Sequence, residues 1–286
     1  MQLSWVQSLF PDLSSITHIG TGGQKYVFSA SHPTEGRIVL KLIPPLPTDI
    51  ATQRNQRQID REILAVDTVQ SLRVPRILDS GKAMSLQGEY FWIREQFIDG
   101  ESLRSRLQRG PLVPQELLKI ALQLLEALSD SERVNIVHRD VKPENIMIDS
   151  SGDFWLLDFG IARHLTMPSL TATAEAGKFT YGYAPSEQFN NIRNEIDSRA
   201  DLFALGVTLH ECWTGIQPFW DGARDHMEVL RRVENMPLQP FLIPCKDQTG
   251  FKDLVDVMTK KRGDLRIRTV SEALAWMQSI VAAERS

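Results

Sequence analysis

Two short runs hold the residues best suited to chemistry. Val137 to Ile148 reads VHRDVKPENIMI, and Leu156 to Arg163 reads LLDFGIAR. The first puts Asp140, Lys142 and Asn145 at fixed offsets in one loop, and the second puts Asp158 beside Phe159 and Gly160. One carboxylate can accept the proton of an attacking hydroxyl. An ammonium can steady a moving anionic group. An amide and a second carboxylate can hold a divalent cation. Transfer of a phosphoryl group needs this set.

Such groups work only if rigid elements hold them. From Pro114 onward, Leu117, Leu118, Ala121, Leu124, Leu125 and Leu128 recur at helical spacing and lead into the first run. A second apolar helix is expected from about Ala200 to Trp213, with others around Met227 to Val233, Phe251 to Thr259 and Ser271 to Ala282. This half reads as mainly helical. The preceding half differs. Residues 18 to 43 alternate apolar and polar and read as three strands, with turns at Thr21-Gly22-Gly23 and at His32 to Gly36. Pro44, Pro45 and Pro47 end that set. Arg54 to Val69 reads as a charged helix with Ile59, Ile63, Val66 and Val69 on one face. Residues 77 to 98 add strands ending in YFWIREQFI. The expected division is a lead-in over 1–17, where Trp5, Leu9 and Phe10 pack on the domain, a small sheet lobe over 18–98, and a helical lobe over 99–286.

Composition sets bounds. A chain of 286 residues suits one large domain or two tightly packed lobes. At 42% hydrophobic and 24% charged it is an ordinary globular composition, and a net charge of -4 argues against a nucleic-acid partner. Two cysteines, Cys212 and Cys245, make no disulfide framework, so a reducing cytoplasm is expected. No apolar run approaches the roughly 18 residues of a membrane span. The best, Leu202 to Trp213, contains His210 and Glu211, and no signal-peptide pattern opens the chain. No membrane partner and no appended domain are expected.

HRDVKPEN with its spaced DFG resembles the catalytic and metal loops of eukaryotic-type (Hanks-type) serine/threonine protein kinases, from about His18 to about Ile280. The resemblance implies an α+β, bilobal protein-kinase-like fold. ATP would lie in the cleft beneath the link from Glu95 to Glu101, with Mg²⁺ as cofactor. Asp140 would be the base, Lys142 would reach the γ-phosphoryl group, and Asn145 and Asp158 would hold Mg²⁺. IGTGGQKYVFSA, Ile19 to Ala30, resembles the glycine-rich loop over the phosphates. Gly20 and Gly22 match its first two glycines, Lys25 stands at the third, and Val27 joins them at the nucleotide. Lys41 in IVLKLI matches the phosphate-holding lysine. Glu62 is favoured as its ion-pair partner, with Asp60 as the alternative. Glu95-Gln96-Phe97 would bond the adenine edge through the backbone, and Glu101 would meet the ribose. Arg94 falls where the back of the adenine pocket is guarded, through either a one-residue offset or a real departure. If real, it narrows the pocket and pairs with a nearby carboxylate.

Lys142 points to the serine/threonine class. Thr180 matches the threonine that braces Asp140 and Lys142. Glu187 and Arg266 match a buried ion pair, although Ser186 stands where the family has proline. Asp201 matches an aspartate that caps the catalytic-loop backbone, and His138 is structural, near Phe159. Arg139 would receive a phosphate from the segment between Asp158 and Glu187, with Thr171 or Thr173 as its carrier. The expectation is a protein kinase, bacterial in its compact form. Its substrates are proteins, including a second copy of itself through self-association. A pseudokinase scaffold and a small-molecule kinase are the alternatives.

Overall fold

The computed structural model describes residues 3–22, 25–44, 69–85, 88–159, 181–190 and 196–286. The helix expected over 54–69 falls outside them up to residue 68, and so do Asp60, Glu62, Thr171, Thr173 and Thr180. Two compact units are present. One comprises Met1–Thr68, Pro75–Ile98 and Ile161–Ser169, and the other Val69–Val74, Asp99–Gly160 and Leu170–Ser286.

In the first unit, helix α1 (Leu3–Leu9) precedes strands β1 (Ser14–Gly22), β2 (Lys25–His32), β3 (Gly36–Ile43), β4 (Ile77–Ser85) and β5 (Gly88–Gln96). They form an antiparallel sheet in the order β1-β2-β3-β5-β4. β1 begins before the expected His18, because Ser14 and Thr17 already pair with Ser31 and Ser29. Seven residues are too few for a stable isolated helix. α1 is held by burial: Val6, Phe10 and Leu13 join Phe28, Ala30, Ile38, Leu40, Leu42 and Tyr90 in one apolar core. The expected packing of Trp5 and Leu9 against the domain is present at the edge of that core.

Directly opposed residues of antiparallel strands share a face. One cross-strand row runs Gly20, Val27, Lys41, Ile93, and the next runs Phe28, Leu40, Arg94. Successive rows face opposite sides. Lys41 and Arg94 are therefore on opposite faces, and the Arg94 face is the one that α1 covers. There Arg94 Nη1 pairs with Asp12 Oδ2 at 2.7 Å, and the guanidinium lies 5.1 Å and 5.3 Å from the Trp92 and Phe10 rings. The expected carboxylate partner exists. The expected narrowing of the adenine pocket does not follow, because strand alternation turns Arg94 away from the Lys41 side.

In the second unit, β6 (Gly100–Ser102) leads into α2 (Leu103–Leu107) and α3 (Pro114–Arg133). α3 starts with proline in its first turn, and Glu116 reaches back to the Val113 N–H at 3.1 Å. β7 (Ile146–Asp149) and β8 (Phe154–Leu156) make a hairpin, with β6 paired to β7. Gly100 is obligatory there: a Cβ would sit 1.9 Å from the Ile148 carbonyl oxygen. After α4 (Ser186–Phe189) comes α5 (Ser198–Thr214), in which every residue from Ala200 to Cys212 is buried. α5 starts at an Asp197 cap and ends at Gly215, whose φ of 73° suits glycine. α6 (His226–Asn235), α7 (Gln248–Met258) and α8 (Val270–Arg285) complete the unit, capped by Asp225, Asp247 and Thr269. α3 packs on α5 and α8, and α7 packs on α5. The helices expected from Pro114 onward are all present, at nearly their expected bounds.

Arg94→Ala is expected to cost about 1–3 kcal/mol of stability, moderated because Asp12 is 41% exposed. It should leave ATP affinity within about twofold. Urea unfolding and ATP calorimetry on wild type and variant check both.

Candidate active site

The second unit assembles four of the candidate residues around one loop. Asp140 Oδ2 accepts from Lys142 Nζ at 2.9 Å and from Asn145 Nδ2 at 2.8 Å, and Asn145 Nδ2 also donates to the Asp140 carbonyl at 2.8 Å. Pro143–Asn145 forms a 3₁₀ turn, which brings Asn145 back to Asp140. Asp158 reaches the same region through the hairpin. Ile146 pairs with Leu156, and the Leu157 N–H donates to the Asn145 carbonyl at 2.8 Å. Asn145 therefore precedes one strand and Asp158 follows the other, at the same end of the hairpin.

Two non-glycine residues here adopt left-handed backbone, Arg139 with φ 64° and Asp158 with φ 60°. Such conformations are strained and persist only where the surroundings dictate them. Asp201, buried in α5, is the agent at Arg139. Its two carboxylate oxygens accept the His138 and Arg139 N–H groups, each at 2.7 Å. Gln188 adds a bond to the Arg139 carbonyl at 2.7 Å. The capping role expected of Asp201 matches these bonds.

His138 is fully buried and spends both ring nitrogens on structure. Nε2 donates to the Leu157 carbonyl at 2.8 Å, Nδ1 accepts the Asp140 N–H at 3.2 Å, and the ring meets Phe159 edge-on at 4.6 Å. This pattern needs a neutral imidazole. Burial lowers the His138 pKa from 6.5 to about 4, against the Leu157 carbonyl and nearby carboxylates. The same burial raises the Asp201 pKa to about 7, against its two N–H donors and Arg139.

The family profile described as "Protein kinase domain" matches residues 13–277. The chain belongs to the protein kinase domain family. Among curated relatives of this kinase domain, the serine/threonine-protein kinase PknD of Mycobacterium tuberculosis is 38% identical over 272 residues, 92% of this chain and 40% of PknD. The serine/threonine-protein kinase PknH of Mycobacterium bovis is 34% identical over 220 residues, 76% of this chain and 35% of PknH. The serine/threonine-protein kinase pkn2 of Myxococcus xanthus is 30% identical over 276 residues, 93% of this chain and 32% of pkn2. The chain thus spans about two fifths or less of these relatives' own lengths.

In the kinase domain's first unit, Gly20, Val27 and Lys41 occupy one row of one sheet face, with Gly22 paired to Lys25 at the end of β1. Glu95 requires a correction. It lies inside β5, with its backbone in register with Val39 and Ile77, and its side chain is buried on the Lys41 face. The link between strands β5 and β6 therefore starts after Gln96, whose N–H is already bonded to the Arg76 carbonyl at 2.9 Å. Phe97 is in that link, its ring stacked under the Arg37 guanidinium at 3.8 Å. Glu101 lies on β6, where Arg109 grips its carboxylate with one bond of 2.7 Å and a second, shorter one.

Two side-chain networks brace the kinase loop. Arg266 Nη1 bonds Glu187 Oε1 at 2.5 Å, and the guanidinium also donates to the Lys260, Lys261 and Arg199 carbonyls. That is the expected pair, and Ser186 does not disturb it. The other network was not anticipated. Arg104 on α2 donates to Glu144 at 2.7 Å, Glu211 at 2.6 Å and the Tyr183 hydroxyl at 2.7 Å, and Tyr183 donates to Glu211. These residues are scattered across 107 positions of sequence and share no motif that would announce them.

Arg266→Met is expected to cost about 3–5 kcal/mol, because it strands the buried Glu187 carboxylate, and urea unfolding measures it. A pH prediction concerns His138. Its folded pKa is depressed, so its stabilisation is complete above 6.5 and is lost as pH falls towards about 4. Asp201, with a raised pKa, acts with opposite sign, its contribution being lost as pH rises through about 7. The readout is therefore a difference. Between about pH 7.5 and about pH 5.5, wild type should lose about 1 kcal/mol more than His138→Gln.

Proposed function

We propose that this kinase domain is an active serine/threonine protein kinase that transfers the γ-phosphoryl group of ATP to Ser and Thr hydroxyls of proteins, itself among them. The observation that carries this reading is the triangle of Asp140, Lys142 and Asn145 around one carboxylate oxygen. With Oδ2 held from two sides, Asp140 presents a fixed carboxylate to a substrate hydroxyl and takes its proton as the new bond forms. Lys142, tethered at 2.9 Å, supplies positive charge beside the same point. Lys41 would hold the α- and β-phosphates.

Asn145 and Asp158 offer an amide and a carboxylate oxygen, the hard donors Mg²⁺ prefers, so the donor chemistry fits the ion. Bound there, Mg²⁺ would neutralise phosphate charge. His138 is not a base in this reading, since both its nitrogens are engaged. Gly20, Gly22, Lys25 and Val27 would line the phosphates and base, while Phe97 and Glu101 would meet adenine and ribose. Glu62 would pair with Lys41.

A complete set of Lys41, Asp140, Lys142, Asn145 and Asp158 speaks against a pseudokinase scaffold. Thr180, Glu187 and Arg266, which the resemblance ties to a peptide-docking surface, speak against a small-molecule kinase. A phosphate on Thr171 or Thr173, received by Arg139, is the proposed regulation. A cytoplasmic location belongs to the same reading, supported by two buried, free thiols, Cys212 and Cys245. Among the described residues no helix is long and apolar enough to cross a membrane.

Purified protein with ATP and Mg²⁺, beside Asp140→Ala, tests the reading by mass spectrometry. Phosphoserine or phosphothreonine is expected in wild type, with at least a roughly 10³-fold loss of rate in the variant. ATP bound without turnover in either protein would leave a pseudokinase, and phosphate found only on an added small metabolite would leave a small-molecule kinase.

A further inference from the structure

The sheet provides Lys41 with a carboxylate of its own. Lys41 stands opposite Ile93, and Glu95 stands two residues further along β5, so both side chains lie on the same face. Lys41 Nζ pairs there with Glu95 Oε1. The two side chains are only 9% and 11% exposed. Both partners sit on adjacent, fully paired strands, β3 and β5, so no loop or helix has to be ordered for the pair to form.

We propose that Glu95 is a positioning residue for the reaction: its carboxylate holds the Lys41 ammonium charged and aimed, from within the sheet, for the nucleotide phosphates. The proposal rests on the kinase reading above. A buried amine without a counter-charge tends to lose its proton, and a neutral amine no longer attracts phosphate. A lysine stem also has four rotatable bonds, and a fixed acceptor removes most of that freedom. An ammonium has three N–H donors. A bond to Glu95 therefore does not by itself stop the ammonium from meeting phosphate oxygens. Glu62 was expected to hold the lysine from a separate helical segment. Glu95 does so through strand register, and its contribution does not depend on where that segment lies.

Calorimetry with Mg²⁺·ATP on the intact protein decides this. It uses wild type, Glu95→Gln, Glu95→Asp, Lys41→Met and the Lys41→Met/Glu95→Gln double variant. Glu95→Gln keeps the shape and removes the charge. It should weaken ATP binding about tenfold, Glu95→Asp should recover part of the loss, and in the Lys41→Met background the same change should cost less than about twofold. Equal weakening in both backgrounds would mean that Glu95 only supports the fold, and overturns the proposal. Unchanged or tighter binding in Glu95→Gln would mean that the pair is inert or withholds Lys41 from phosphate, and also overturns it. Binding is read without turnover. A wild type that binds ATP but transfers no phosphate therefore refutes the kinase reading and leaves the result on Glu95 standing.

Discussion

The buried carboxylate of Asp201 is the interaction on which the catalytic loop depends. Its two oxygens take the His138 and Arg139 N–H groups at 2.7 Å each, and Arg139 is left-handed at φ 64°. Without an acceptor on both N–H groups, the loop would relax to an ordinary extended path, and Asp140 would turn with it. Burying a carboxylate is costly, and the cost is offset only because both oxygens are satisfied. His138 extends the brace. Its ring ties the Asp140 N–H to the Leu157 carbonyl, and so links the loop to the strand that leads into Asp158.

Helix α5 braces the loop twice. Asp201 is in its first turn and Glu211 near its last, ten residues on and so roughly 15 Å along the axis. Asp201 fixes the backbone before Asp140. Glu211, through Arg104, fixes Glu144 just after Lys142. Asp140 and Lys142 lie between these anchors. A helix buried on all sides suits this task, because its own position is set by packing against α3 and α7. The Glu187–Arg266 pair ties the segment after Tyr183 into the same unit.

In the sheet unit, the corresponding constraint is strand parity. β5 carries Ile93, Arg94 and Glu95 in succession, and alternation sends the first and third to the Lys41 side and the second to the α1 side. A one-residue shift in reading β5 exchanges the roles of Arg94 and Glu95 completely. The lead-in matters for the same reason. α1 covers the face that bears Phe28, Leu40 and Leu42, and the turn that follows it provides Phe10 and Asp12 as neighbours for Arg94.

Local patterns in the sequence determined the strands of the first unit, the helix bounds after Pro114 and the cluster of Asp140, Lys142, Asn145 and Asp158. These depend on spacing of a few residues, on apolar periodicity and on turn chemistry, all short-range properties. His138 as a structural group, Asp201 as a cap and Glu187 with Arg266 were legible only because a family resemblance supplied partners 63 and 79 residues away. The tertiary structure alone decided what depends on register and on chance meetings of distant segments. It put Arg94 on the α1 face, paired Glu95 with Lys41, and gathered Arg104, Glu144, Tyr183 and Glu211 into one network. The physical reason is that strand alternation sets the face of every residue, while local sequence does not specify which residue of one strand stands opposite which residue of its neighbour. That pairing is fixed only when the whole sheet and its covering helix pack together.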